Sequence, residues 1–324
     1  MDNNNGLISA FVLDGQGGGK AIEWQDIRTW SEDDGILWMH LDYTAPDAEK
    51  WLNEESGLDE VTVSVLISED PRPRSVVTND SLLAILRGVN LNPGADPEDM
   101  VSVRLWMNDK RIISTRRRRI LSINDLSKAI EQGQGPATSG EFLSEITSRM
   151  VERMSDIVSE IDDKADDLED QVLTVQGYQL MPMISELRRE TIGLRRYLAP
   201  QREAMTRLYN ERLPWLKDME RMRLREAADS TMRYIEELDA ARDRAIVIQE
   251  ELMSRISEQM DKRMYVLSMV AAIFLPLGFL TGLLGINVGG IPGAEFKWSF
   301  LIFCLMLLLT VFVQVMLFKK MKWM

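Results

Sequence analysis

The chain has 324 residues, 45% of them hydrophobic, with 51 acidic and 38 basic side chains and a formal net charge of −13. This balance argues against a nucleic-acid-binding surface and favours attraction of cations, although an acidic surface also serves solubility alone. A single cysteine, Cys304, and a single histidine, His40, exclude a disulfide framework and a zinc cage of Cys and His ligands within one chain.

The first part of the chain, residues 1–135, is predicted to be a cytoplasmic α+β domain. It begins without a basic start or an apolar stretch, so we expect no secretory signal. Short β-rich runs separated by turn signals predict strands at Leu7–Leu13, Ile36–Leu41, Ser75–Thr78, Leu82–Leu86, Val101–Met107 and Arg111–Thr115. Short helices are predicted at Ala45–Glu54, Asp59–Ile67 and Ile123–Glu131. Gly133–Pro136, with Ser139 and Gly140, is predicted to be a linker.

After Gly140 the pattern becomes almost wholly helical, and we expect a cytoplasmic long-helix region and stalk over residues 141–263. Apolar residues recur at steps of three and four, which is typical of one buried helix face: Phe142, Ile146, Met150, Met154, Ile157, Ile161, Ala165, Leu168 and Val172. Gly177 and Pro182 interrupt this pattern, and Pro214 is predicted to open a third helix. If that helix continues to Leu284, it measures roughly 105 Å at about 1.5 Å per residue.

Two apolar runs near the end of the chain are each long enough to cross a membrane. No charged residue occurs from Met264 to Ala294 or from Trp298 to Phe318, and about 20 apolar residues suffice for one crossing. We predict a first transmembrane helix over 264–285, a periplasmic loop over 286–298, a second transmembrane helix over 299–318 and a tail over 319–324. Basic residues precede the first run and follow the second, which predicts that both termini are cytoplasmic: Lys262, Arg263, Lys319, Lys320 and Lys322.

Two candidate chemical sites are weak. The Gly15–Lys20 stretch lacks the early Gly and the final Ser or Thr of a phosphate-binding loop, so a hairpin or loop between strands is expected. His40 lies in an apolar, alternating run and is expected to be a packed or hydrogen-bonded strand residue rather than a catalytic base.

A run of four arginines, Arg116–Arg119, follows a predicted strand. Ion pairing with the helical layer is the favoured interpretation in so acidic a domain. Contact with nucleic acid and contact with anionic lipid are the alternatives.

An acidic helical segment, Glu152–Asp170, contains nine carboxylates and two bases. Several of its aspartates share one helix face: Asp162, Asp163, Asp166, Asp167 and Asp170. Carboxylate oxygens bind hard or hydrated divalent cations, so a cation-attracting or metal-sensing face is one interpretation. A solvated helix face without further function is the other.

The first apolar run carries a row of small residues, with Leu275 among them: Ser268, Ala271, Gly278, Gly282 and Gly285. Such a row permits close helix packing or leaves room for a central passage. Asn287 follows directly, where its amide oxygen could receive a hydrated cation. Two helices cannot enclose a passage, whereas several copies around one axis could.

These features together resemble the CorA-type divalent-cation transporters over essentially the whole chain. The resemblance depends on Val266–Ser268, Phe274–Leu277 and the motif Gly285-Ile286-Asn287. Most members have Met where this chain has Ile286, and the departure, followed by Gly289–Gly293, is similar to the zinc-transporting ZntB branch. Three further segments are similar to that branch: Arg72–Arg74, Ile85–Asn90 and Arg111–Ser114 with the arginine run.

The resemblance implies a homopentamer in the bacterial inner membrane that transports divalent cations, zinc first, with proton coupling left open. It implies pore-lining roles for Met264, Ser268, Ala271, Leu275, Gly278 and Gly282. The motif Gly285, Ile286 and Asn287 is then the ion-selectivity element, with Asn287 receiving the hydrated ion. Magnesium-selective relatives commonly have threonine in place of Gly278, which disfavours magnesium as the cargo.

No cofactor, nucleic-acid partner or enzymatic activity is expected. The alternatives are a magnesium, cobalt or nickel channel of the same superfamily, and a membrane-tethered sensor or scaffold.

Overall fold

The computed structural model describes residues 5–174, 178–285, 293 and 296–321. The chain forms two compact units, Met1–Gln249 and Glu250–Met324. Its strands are β1 Leu7–Leu13, β2 Gly19–Ala21, β3 Ile36–Asp42, β4 Arg74–Thr78, β5 Ser81–Gly88, β6 Val101–Met107 and β7 Arg111–Arg116. Its helices are α1 Trp24–Thr29, α2 Pro46–Glu54, α3 Glu60–Leu66, α4 Leu121–Glu131, α5 Ser139–Thr174, α6 Met181–Asn210, α7 Asp218–Leu284 and α8 Ser299–Lys320.

The strands of the first unit form one seven-stranded sheet in the order β2-β1-β3-β7-β6-β5-β4. All neighbouring strands are antiparallel except β3 and β7, which pair in parallel. Every strand predicted from sequence is present, and β1 and β6 have the predicted bounds. The sequence did not reveal β2 and α1, because three and six residues are too short to show a periodicity.

The sheet is buried on both faces. Because successive side chains of a strand point to opposite sides, one strand contributes to both cores. On β3, Trp38 belongs to a core shared with residues of α4, α5, α6 and α7. Its neighbours Leu37 and Met39 belong to the opposite core, which residues of α1, α2 and α3 complete. Strand and long-helix segments therefore share one core within the first unit.

Local capping explains several boundaries. The turn between β1 and β2 is a hairpin, one of the two forms expected for the Gly15–Lys20 stretch, and the Asp14 carboxylate accepts from the backbone N–H of Gln16 at 2.7 Å and of Gly18 at 2.9 Å. The Asp59 carboxylate accepts from the N–H of Thr62 at the start of α3, which satisfies a donor that has no partner within the helix.

The nine apolar positions that predicted α5 are all buried, which confirms the helical period. Two predicted boundaries are wrong. Ser139 and Gly140 lie in α5 rather than in a linker, and the Ser139 hydroxyl donates to Asp109 O at 3.0 Å. Helix α7 begins at Asp218 rather than Pro214, because buried Leu213 and Leu216 hold the preceding segment as a turn.

Candidate functional site

The apolar part of α7 leaves its side chains uncovered in a single chain. From Met264 to Leu284 no described residue is buried, and Leu275 is 71% exposed. Helix α8 likewise has no buried residue, and both helices are long and apolar enough to cross a membrane. Such a surface requires lipid or further protein to cover it.

The predicted pore-lining residues lie on one face of α7. They follow one another at alternating steps of four and three, which returns to the same helix face every two turns: Met264, Ser268, Ala271, Leu275, Gly278 and Gly282. Beyond the neighbouring backbone of α7 itself, a Cβ atom added at Gly278 or Gly282 would meet no atom within 4 Å. This face of a single chain therefore has room for another helix or for a passage.

Of the predicted selectivity motif, Gly285 is the residue that the structure describes. The N–H of Gly285 donates to Thr281 O at 2.8 Å, directly after the end of α7. Ile286 and Asn287 lie outside the described residues. The role assigned to Asn287 therefore stays a prediction.

The acidic face of α5 is partly occupied by a cation of the protein itself. Arg244 of α7 donates to Asp162 at 2.8 Å and also to Asp166, and its guanidinium lies 3.4 Å from the carboxylate of Glu169. Burial opposes the charge, but the hydrogen bond and charge of Asp166, with the charges of Asp162 and Glu169, raise the pKa of Arg244. The guanidinium thus neutralises part of this face.

The remaining aspartates of the face, Asp163, Asp167 and Asp170, are exposed. Among the described residues, no ion pair involves any of the three, and no group of three or more His, Cys, Asp or Glu side chains is placed to hold a metal ion. An acidic surface that attracts hydrated cations without a fixed metal site is compatible with this arrangement.

The arginine run does form ion pairs, but with loops rather than with the predicted helical layer. Arg117 lies 3.7 Å from Glu69, between α3 and β4, and Arg118 pairs with Asp99, between β5 and β6. Burial lowers the pKa of Arg116, and nearby Asp42 opposes that shift. The predicted partner layer was wrong because helical periodicity carries no information about where loops fold back.

His40 is a packed strand residue, as predicted. It is fully buried, with its Nδ1 2.8 Å from the Ser114 hydroxyl oxygen. Burial, assisted by the charge of Arg116, lowers the pKa of His40 to about 3. The imidazole is therefore uncharged near neutral pH.

Arg87, within the Ile85–Asn90 segment, has a structural role that the sequence did not reveal. It is 4% exposed, donates to Met100 O at 2.9 Å and to the Asp70 carboxylate, and lies 4.0 Å above the Tyr197 ring of α6. Its backbone N–H donates to the Gln201 side chain. This segment thus joins β5 to α6, and its composition alone gave no signal for those partners.

Comparison with known proteins supports the same family over nearly the whole chain. The family described as CorA-like Mg2+ transporter protein matches residues 33–320. Zinc transport protein ZntB of Pectobacterium carotovorum subsp. carotovorum (strain PC1) is 38% identical over 323 residues, which is 99% of this chain and 97% of that protein. Divalent cation transporter CmaX of Pseudomonas aeruginosa is also 38% identical, over 98% of this chain and 97% of that protein.

Solved structures show the same architecture. Full-length CmaX has a TM-score of 0.85 at 38% identity and covers 98% of both chains. The CorA magnesium transporter of Methanocaldococcus jannaschii has a TM-score of 0.82 at 18% identity, covering 98% of this chain and 99% of that one; at this identity the match bears on fold alone. The predicted fold class is confirmed: an α+β domain, long helices and two apolar C-terminal helices.

Proposed function

The chain belongs to the CorA-like transporter family, as its sequence predicts, and on this premise we propose that it transports divalent metal cations, zinc first, across the bacterial cytoplasmic membrane. The relatives named above are a zinc transport protein and a divalent cation transporter. The observation that carries the proposal is the uncovered small-residue face of α7, which ends at Gly285 and leads directly to Asn287.

The transporter is a homopentamer in which α7 of each copy lines one central passage. Two apolar helices per chain cannot enclose a passage. The open space at Gly278 and Gly282 is the space such a passage would use. Met264, Ser268, Ala271 and Leu275 continue the lining along the same face.

The ion enters hydrated, at a ring of Asn287 amide oxygens, one from each copy. An amide oxygen can accept from the waters around a divalent ion, so the ion need not be fully dehydrated at entry. The route involves no covalent chemistry, so the protein is not an enzyme, and the metal is its cargo rather than a cofactor.

Zinc is favoured over magnesium for two reasons. Gly278 offers no side-chain oxygen within the span, and the relatives of the ZntB type are named for zinc. Passage of magnesium, cobalt or nickel is the second candidate, since the matched family description concerns magnesium.

Both termini lie in the cytoplasm, so the first unit faces the cytoplasm and residues 286–298 face outward. The support is the basic pair Lys262 and Arg263 before the apolar part of α7, with Lys319 and Lys320 at the end of α8. Reaction of single introduced cysteines at residues 2 and 290 with an impermeant reagent, in intact cells, tests this orientation in a Cys304→Ser background.

Uptake into liposomes that contain only this protein tests the function directly. We expect zinc entry reported by a trapped fluorescent indicator, weaker entry of magnesium, and competition by cobalt or nickel if they share the route. Comparing flux with and without an imposed pH gradient determines whether protons are coupled. An intact oligomer that moves none of these metals would instead favour a membrane-tethered sensor or scaffold.

A further inference from the structure

Pro276 leaves one backbone carbonyl of α7 without its helical partner. In an α-helix each carbonyl accepts from the N–H four residues later, and proline has no N–H. The residue four positions before Pro276 is Ala272, within the apolar part of α7. In hydrocarbon an unsatisfied carbonyl is costly, so neighbouring side chains commonly supply a donor.

Gln314 of α8 supplies that donor. Its Nε2 lies 3.4 Å from Ala272 O, a long and therefore weak hydrogen bond. Gln314 is the only amide side chain in α8. Thr310, one turn earlier, does not make such a bridge, because its hydroxyl donates to Met306 O in its own helix at 2.9 Å.

The other end of the Gln314 amide supports this role. Its Oε1 is buried and has no hydrogen-bond partner in the described part of the chain. A half-satisfied amide is unfavourable in an apolar helix. Its N–H end, at the orphaned carbonyl, is the end with a structural use.

We propose that Gln314 is a positioning residue whose amide replaces the N–H that Pro276 lacks and thereby holds α7 against α8 next to the predicted lining residue Ala271. A side chain makes this bond, so it can open without breaking the helical bonds of α7. Pro276 then acts as a hinge for residues 277–285, which include Gly278 and Gly282. The consequence for transport rests on the function proposed above; the contact itself does not.

A double-mutant cycle on the full-length protein in detergent tests the contact. Pro276→Ala restores the backbone N–H and removes the need for Gln314, whereas Gln314→Met keeps the shape of the side chain without its donor. In the wild-type background, Gln314→Met should lower the folded-to-unfolded equilibrium constant in an SDS titration by about threefold, the average for such bonds between membrane helices. In the Pro276→Ala background that loss should disappear or reverse in sign, because an amide without its bond is itself unfavourable there.

Thr310→Val is the matched control, because it removes a polar group of α8 whose hydrogen bond lies within α8 itself. We expect the same small effect from it in both backgrounds. An equal effect of Gln314→Met in both backgrounds would overturn the proposal. If Gln314→Met does not assemble alone but assembles with Pro276→Ala, that rescue supports the proposal, and failure in both backgrounds overturns it.

Zinc flux of the same four proteins separates this inference from the function. We expect Gln314→Met to change flux only when Pro276 is present. Coupling in the SDS titration without zinc flux in any variant would uphold the contact and remove the proposed function. Normal flux without coupling would uphold the function and remove the contact.

Discussion

Arg244 of α7 donates to the carboxylate of Asp162 of α5 at 2.8 Å, and through the same guanidinium it reaches Asp166. The acidic face predicted from sequence is therefore two different surfaces. One part holds α5 and α7 together, and the other, with Asp163 and Asp167, faces solvent. The two parts should respond differently to mutation.

Replacing Asp163 and Asp167 with Asn should reduce zinc uptake at low ionic strength more than at high, with no change in thermal stability. Exposed carboxylates raise the local cation concentration, and salt screens them over about 8 Å at physiological ionic strength. The control is Asp162→Asn with Asp166→Asn, which should destabilise the protein by about 1 kcal/mol or less per ion pair. Equal loss of uptake by the first pair at both salt concentrations would contradict a screening role.

Gly282→Leu should abolish zinc flux while leaving the helix intact. The single chain has space for the new side chain, and leucine is the better helix former by about 1 kcal/mol. Only a passage or a neighbouring copy would be obstructed. Val266→Phe, which adds bulk on the opposite side of α7, is the control and should retain flux. Full activity of Gly282→Leu in liposomes would place the passage elsewhere.

Asn287→Ala should abolish transport and preserve the oligomer. Its amide is the polar group that we assign to the entry of the passage, and loss of a helix-capping role alone would cost about 1 kcal/mol. Flux and size-exclusion chromatography on one sample measure both properties. Normal flux from an intact Asn287→Ala oligomer would exclude the proposed entry site.

The protein should be a pentamer in mild detergent, because a passage needs α7 from several copies. Native mass spectrometry gives the stoichiometry directly. A monomer or dimer as the largest stable species would contradict the proposed passage.

Acid should destabilise the protein through His40. The folded state holds the pKa of His40 near 3, whereas an unfolded histidine has a pKa of about 6.5. The free energy of unfolding therefore does not depend on the protonation of His40 above about pH 6.5. Below that pH it falls by about 1.4 kcal/mol per pH unit as the pH decreases towards 3. His40→Gln can still hydrogen-bond Ser114 but does not titrate.

The measurement is the difference in unfolding free energy between wild type and His40→Gln at several pH values. We expect the difference to change steadily between pH 6 and pH 4 as wild type loses stability. A constant difference across that range would mean that His40 is protonated in the folded protein.

Local pattern predicted the elements better than it predicted their contacts. A β-rich run set off by turn signals gave the bounds of β1, and three- and four-residue steps gave the buried face of α5. The start of α7 was misplaced because Trp215, in the preceding turn, bonds Asp80 O far away in the sequence. A proline marks a possible helix start but does not reveal such tertiary contacts.

The predictable part of the site was the row of small residues on α7, because it is periodic within one helix. The contacts of α7 with other helices were not predictable. Arg244 and Asp166 are 78 positions apart, and Gln314 and Ala272 are 42 positions apart. Neither separation follows from the period of any helix.

The two faces of the sheet become complete at different times during synthesis. The core around Met39 and Leu41 needs no residue beyond Ile113. The core around Trp38 includes residues as far as Ala228. At roughly 5–20 residues per second, the ribosome needs on the order of ten seconds to cover that interval. During that time the Trp38 face of the nascent sheet lacks the helices that cover it, and it is the surface on which a chaperone would act, before either apolar helix has been synthesised in full.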